Sequence, residues 1–312
     1  MEHLGERGTP VRTLRTGVRT VAAAIVAVLL LTVPAVGATG VLTTKAYEFN
    51  PAATDTYISW NGINHRHYVV YAKPFSGSRF RVSPKGTNGW NGSIDGTTLI
   101  YQLYVPSKNR SDVYSYDLVT KTRTKIGKPV STDRWEYEPV GSGDWVMYGR
   151  YFRNADRKIY LYNTNTHELR TLASTSGKAW FLVPSQVNGN YAVWEKAKVH
   201  RHRNVGCDVF LYDIAGGTKT KLANPNDRCQ YSPGVNPAGT VFFARSGFGC
   251  GKNVVLRQQP LASSATTVGT IGAGHDVISL YAVDNGDTTT DLYYDPASCT
   301  KARADVVKVT LP

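Results

Sequence analysis

A repeat of about 45 residues constrains this chain more than any other feature. The segments SDVYSYDL, KIYLYNTN and CDVFLYDI are Tyr-centred, and their aligned residues Tyr116, Tyr162 and Tyr212 are spaced by 46 and 50. HYVVYAKP extends the series backwards, with Tyr71 lying 45 residues before Tyr116. Each segment is followed by a polar turn and a short Thr/Arg/Lys-rich run, and each is preceded by another pair of short apolar runs. Those pairs end on an aromatic: Trp60, Tyr101, Tyr148, Trp194 and Tyr294, with Phe243 near the slot in the fifth unit. Runs of Val, Tyr, Thr and Ile that alternate with polar residues are strands half-buried on a sheet. A fixed period of four such strands is the signature of a propeller blade, as in WD40-like repeats.

Six units fill residues 41–312, which predicts an all-β, six-bladed propeller of four-stranded antiparallel blades. The sixth unit ends after its third strand, ADVVKVTLP. Residues 41–45 (VLTTK) are therefore expected to supply its outer strand and close the ring, removing free sheet edges that would aggregate. The pattern with Ser93-Ile94-Asp95-Gly96, followed by Tyr-Asp-turn-Thr-Lys, resembles the repeat of TolB-type six-bladed propellers and of prolyl oligopeptidase propeller domains. The family's Ser-Pro-Asp-Gly turn is only partly met, by Ser93–Gly96 and by Ser232-Pro233-Gly234. The resemblance implies a protein-interaction scaffold. It does not carry over a peptidase, because no G-x-S-x-G nucleophile elbow occurs in the chain.

The N-terminus carries an address. Arg7, Arg12, Arg15 and Arg19 precede an apolar run over residues 21–31, then Pro34 and the small residues Val36-Gly37-Ala38. This is a secretory signal-peptide pattern, with cleavage expected after Ala38. Residues 1–38 are thus read as the signal peptide and 39–312 as a single secreted propeller, with no stable membrane span after cleavage. Four cysteines, Cys207, Cys229, Cys250 and Cys299, would then lie in an oxidising compartment and form disulfides. Three pairings are open, and a Cys207–Cys299 bond ranks last because it would skip a blade.

Charge is distributed unevenly. The chain has 36 Lys+Arg against 23 Asp+Glu. Blade topology puts the connections between second and third strands on one face, at 61–68, 103–112, 149–158, 195–207, 244–253 and 295–305. These segments hold Arg66, Lys108, Arg110, Arg150, Arg153, Arg157, Lys158, Lys196, Lys198, Arg201 and Arg203, and few acids. Clustered positive charge focuses a field on acidic partners. The leading expectation is therefore a non-enzymatic propeller that binds an anionic polymer, a glycan or a protein through a basic loop face. Nucleic acid fits poorly, because these loops lack interleaved stacking aromatics beyond Tyr151, Phe152 and Phe248.

Other chemistry is sparser. Glu48, Glu136 and Glu138 are expected on innermost strands, with His275 and Asp276 at another channel opening. Glu136, Glu138 and His275 are the candidates for acid/base work if the protein is instead a polysaccharide lyase or hydrolase. His65/His67 and His200/His202 form two H-x-H pairs whose members would share a strand face, but their blades lie across the ring from each other. Asp284-Asn285-Gly286-Asp287 reads as a hairpin turn before a calcium loop. No metal or cofactor is implied. Trp90, Trp135 and Trp180 recur every 45 residues; they read first as core and second as stacking platforms at the channel mouth.

Overall fold

The structure is a computed structural model. It describes residues 39–42, 47–200, 203–224, 228–246, 253–286, 288–299 and 304–312. The expected signal peptide lies outside the described residues. So do Cys250, Arg201, His202 and Asp287. The described chain is almost entirely β: six antiparallel sheets of four strands each, and a single 3-10 turn at Pro106–Lys108.

The first strand of each sheet forms an inner column: β2 (Glu48–Ala53), β6 (Gly89–Asp95), β10 (Trp135–Ser142), β14 (Trp180–Asn188), β18 (Cys229–Val235) and β22 (His275–Asp284). Each of these contacts the next, and β22 contacts β2, so the six inner strands form a ring. The second column is β3 (Tyr57–Asn64), β7 (Thr98–Val105), β11 (Trp145–Tyr151), β15 (Tyr191–His200), β19 (Val241–Ser246) and β23 (Thr290–Ser298). The third is β4 (His67–Pro74), β8 (Arg110–Asp117), β12 (Arg157–Asn163), β16 (Arg203–Asp213), β20 (Val254–Gln259) and β24 (Val306–Leu311). Five outer strands follow in sequence, and β1 (Thr39–Leu42) pairs antiparallel with β24 as the sixth. The sixth sheet is thus completed from the other end of the chain, two residues earlier than the sequence suggests.

Packing explains the aromatic period. Trp60, Tyr101, Tyr148, Trp194, Phe243 and Tyr294 are all buried between blades. Four of them lie against an aromatic directly opposite on the third strand, at ring separations of 5.5 to 5.9 Å: Trp60 on Tyr71, Tyr101 on Tyr114, Tyr148 on Tyr160, Trp194 on Phe210. Such cross-strand pairs add to the burial of the rings themselves. Tyr71 therefore matches Tyr114, not Tyr116. The sequence alignment of the first unit is off by two residues, a slip that keeps the side chain on the same face of the strand.

Register also corrects two turns. Ser232-Pro233-Gly234 belongs to β18, and the turn after it is Asn236–Gly239, where the Gly239 amide donates to the Asn236 carbonyl. His65 and Arg66 both have positive φ and make a two-residue hairpin turn, so His65 does not share a strand face with His67.

Cys207, on β16, is bonded to Cys229, at the start of β18, and joins blade 4 to blade 5. Cys299 is disulfide-bonded as well, to a partner outside the described residues. These bonds fit an oxidising compartment, and no described helix is long and apolar enough to cross a membrane. The Cys207–Cys229 bond closes a 22-residue separation. In the chain-entropy account that is worth about 3 kcal/mol. Replacing both cysteines by Ala should lower unfolding free energy by roughly that amount, measured by urea titration under non-reducing conditions. An unchanged midpoint would contradict this role.

Candidate functional site

Every inner strand breaks register with its neighbour at a bulge near the middle of its length. A bulge releases backbone amides from the ladder, and a buried amide needs another acceptor. The acceptor comes from the residue following the second-strand aromatic. Asn61 Oδ1 accepts from the Asn91 amide at 2.8 Å, and Gln102 Oε1 from the Glu138 amide at 3.0 Å. Glu195 Oε2 accepts from the Ser232 amide at 3.3 Å, and Asp295 Oδ2 from the Asn50 amide at 2.7 Å. Each bond runs from one blade to the inner strand of the next. In blade 3 the same position is Gly149, where a Cβ would collide with the Tyr137 ring, and in blade 5 it is Ala244. This column of polar residues was legible as the position after each aromatic, yet the sequence reading passed over it.

Asn50, Glu138 and Ser232 sit at the bulges of alternate blades with φ of 57°, 46° and 50°, and each precedes a proline. Left-handed backbone at a non-glycine residue costs about 1–2 kcal/mol, so the surroundings hold these residues in place. The consequence is clearest in β10. Residues two apart on a strand normally share a face, but the bulge separates Glu136 from Glu138. Glu136 is buried, ion-paired to Arg150 at 2.9 Å and bonded to the Thr132 hydroxyl at 2.6 Å. Glu138 instead turns into the channel, and its Oε2 is buried without a hydrogen-bond partner.

The channel holds a cavity of about 90 Å³, to which all six inner strands contribute. Glu138, Glu195 and Ser232 line it, together with Asn50, Asn91 and Tyr281. Tyr281 reaches from blade 6 to donate its hydroxyl to the Ile94 carbonyl of blade 2 at 2.8 Å. It also lines a second cavity on the opposite side, beside Asp95 and Asp284. No Lys or Arg is among the described residues lining the first cavity. Burial, reinforced by repulsion from Glu195, pushes the Glu138 carboxyl up to about 8. Burial pushes Glu195 up to about 7, against the Ser232 amide and with Asp276 adding repulsion. Burial also pushes Asp295 up to about 7, although the amides of Asn50, Ile278 and Ser279 favour its charged form.

Glu138 also floors an open groove of about 510 Å³ between blades 2 and 3, walled by Trp90, Trp135, Tyr137 and Tyr151 with Gln102. Trp90 and Trp180 are half-buried, with Trp90 packed against the cluster of Phe49, Ala297 and Ala304, and Trp135 is exposed, not core. Trp135 is 36% exposed beside Tyr104, Trp90 packs edge-on to Phe49 and Tyr68, and Trp180 lies under Lys196 and Lys198.

The basic residues fall into two groups. The strands run further than the sequence suggests, into the segments read as loops. Arg150 is buried against Glu136, Tyr148 and Tyr160. Arg157 is buried between the rings of Tyr151 and Phe181, with its guanidinium donating to the Trp180 carbonyl. Arg110 lies beside Asp112 at 3.6 Å. Exposed at the channel-mouth end are Arg66, Lys108, Arg153 and Lys198, with Lys158 and Lys196 half-buried. The side chain of Arg203 lies outside the described residues, as does Arg201. His275 is exposed at the start of β22, and it does not line the cavity with Glu138. Asp291, at the start of the next strand, is buried and bonded to Lys308 and Thr310.

The raised carboxyls fix the sign of a pH effect. Their folded pKa values exceed the ordinary 4.5 for Glu and 3.8 for Asp. Between about pH 5 and pH 8 the folded state therefore holds protons that the unfolded chain releases, and stability falls as pH rises. Urea midpoints should be lower at pH 8.5 than at pH 5.5, and Glu138→Gln with Glu195→Gln should shrink that difference. The same difference in the double variant would contradict the assignment.

No protein-family profile and no curated protein sequence matches this chain. Solved structures do. TolB from Acinetobacter baumannii aligns at a TM-score of 0.52 and 15% identity, covering 85% of this chain and 63% of that one. A putative TolB from Agrobacterium tumefaciens aligns at 0.58 and 12%, covering 87% and 93%. An oligogalacturonate lyase in complex with manganese aligns at 0.53 and 8%, covering 89% and 97%. This chain thus spans less than two thirds of the Acinetobacter protein. At these identities the likeness is one of fold, and the fold is that of a TolB-like six-bladed β-propeller.

Proposed function

We propose that this protein is a non-enzymatic binding scaffold, exported from the cell, whose channel-mouth face engages a partner protein. The single observation that carries the reading is the fit of fold to the putative TolB from Agrobacterium tumefaciens along 93% of its length. The site chemistry agrees with it. Of the three residues considered for catalysis, Glu136 is neutralised by Arg150, His275 stands apart at an exposed strand end, and only Glu138 faces the cavity. The second carboxyl lining that cavity, Glu195, serves as the acceptor for the Ser232 amide of the next blade, a role in holding the ring. The likeness to an oligogalacturonate lyase is therefore taken as one of scaffold.

The finer proposal is that the partner presents an anionic surface. It rests on Arg66, Lys108, Arg153 and Lys198, which are exposed at one end of the blades. Arg150 and Arg157 are left out of it, because buried cations paired with a carboxylate or stacked between rings are structural.

Photo-crosslinkers placed at Lys108 and Lys198, and at Asn165 in a turn on the opposite face, test both proposals in the native host. The first two positions should capture one common protein and Asn165 should not. Charge reversal of Arg66 and Arg153 should weaken that capture at low ionic strength, where exposed charges are least screened. Capture from Asn165 alone, or from no position, would overturn the scaffold reading. Capture insensitive to charge reversal would overturn the anionic partner.

A further inference from the structure

We propose that the aromatic groove between blades 2 and 3 binds an organic cation, an alkylammonium group seated against Trp90, Trp135 and Tyr137 with its charge facing the Glu138 carboxylate. The inference goes beyond the scaffold reading and does not depend on it.

Three observations converge on this ligand. The groove is open, with a volume of about 510 Å³, and four of its six lining residues are aromatic. Trp135 in particular leaves over a third of its surface in water, where packing alone would bury it. Ring faces carry negative electrostatic potential and attract ammonium and quaternary ammonium groups.

The second observation is charge complementarity. Glu138 is the one carboxyl among the described residues lining the groove, and no Lys or Arg lines it. Its Oε2 is buried and has no hydrogen-bond partner. Behind it, the channel cavity adds Glu195 and contributes no Lys or Arg. On a protein with a net charge of +13, this is a local acidic site, and a bound cation favours its charged form. Arg157, which packs on the groove-lining Tyr151, is already committed between that ring and Phe181. A cationic guest would give the carboxylate the partner it lacks, in a low-dielectric setting where the pairing counts most.

The third is preorganisation. The left-handed backbone at Glu138, held by the bond from its amide to Gln102, sets this residue where channel and groove meet before any ligand arrives. A neutral pyranose would use the same ring faces and gain nothing from the negative charge, so charge separates the two ligand classes.

The test uses choline, its uncharged isostere 3,3-dimethylbutan-1-ol, and methyl glucoside, titrated into the protein by calorimetry and tryptophan fluorescence. Choline should bind saturably and about tenfold more tightly than the isostere. Glu138→Gln should bring the two within about twofold of each other, while Glu138→Asp keeps the preference. Trp135→Ala should abolish binding of both, with thermal unfolding showing that each variant is folded. Equal binding of choline and the isostere, tighter binding of methyl glucoside, or no saturable choline binding at millimolar concentration would overturn the proposal. So would a cation preference that survives in Glu138→Gln.

Discussion

Six inner strands must approach one another around a narrow axis, and each does so by bulging. The bulges release amides that face the preceding blade and not their own sheet partner. Leaving such an amide buried and unpaired costs on the order of 1–3 kcal/mol, so the ring depends on acceptors delivered from next door. Asn61, Gln102, Glu195 and Asp295 deliver them, each one residue beyond an aromatic that anchors the blade core. The aromatic faces the interior of the sheet packing, and the following residue points the other way, toward the neighbouring blade. One short stretch of the repeat thereby serves both packing within blades and bonding between them.

The same constraint shapes the channel. Using a carboxylate as the acceptor at two of the four positions places Glu195 and Asp295 in a setting where burial favours their neutral forms. Glu138 joins them because its bulge turns it inward, away from the Arg150 that neutralises Glu136. Tyr281 then spans the axis and separates the acidic cavity from the turn-side one. A protein with a large positive excess thus has a channel cavity lined by carboxyls and, among the described residues, by no Lys or Arg. Arg66, Lys108, Arg153 and Lys198 are exposed outside it, as are Lys121, Arg123 and Lys219 elsewhere on the blades.

Much of the architecture was readable in the sequence, because packing repeats itself. Trp60, Tyr101, Tyr148, Trp194, Phe243 and Tyr294 recur since every blade needs the same large ring in the same place. The incomplete sixth unit and the run VLTTK at 41–45 told of sheet completion by an N-terminal strand, which the structure places at Thr39–Leu42. The channel was less legible. Glu136 and Glu138 look equivalent on an ideal strand, and only the bulge at 137–140 separates them. Arg150 and Arg157 look like loop cations, and only the length of β11 and β12 buries them. Spacing carries period and face; it does not carry where a strand bulges or how far it extends. The column after each aromatic mixes Asn, Gln, Gly, Glu, Ala and Asp. Its regularity is one of hydrogen-bond geometry, with two blades substituting small residues to admit rings, as Gly149 does for Tyr137.

Native-state hydrogen exchange at the amides of Asn50, Glu138 and Ser232 tests the account most directly. These amides lie at bulges, outside the regular ladder, where exchange is ordinarily fast. If the neighbouring blades hold them, they exchange as slowly as the core amides of β3, β11 and β19. Replacing Gln102 by Ala then speeds exchange at Glu138 while leaving Asn50 and Ser232 protected. Fast exchange at all three in the unaltered protein would contradict the claim that acceptors from adjacent blades hold the ring together.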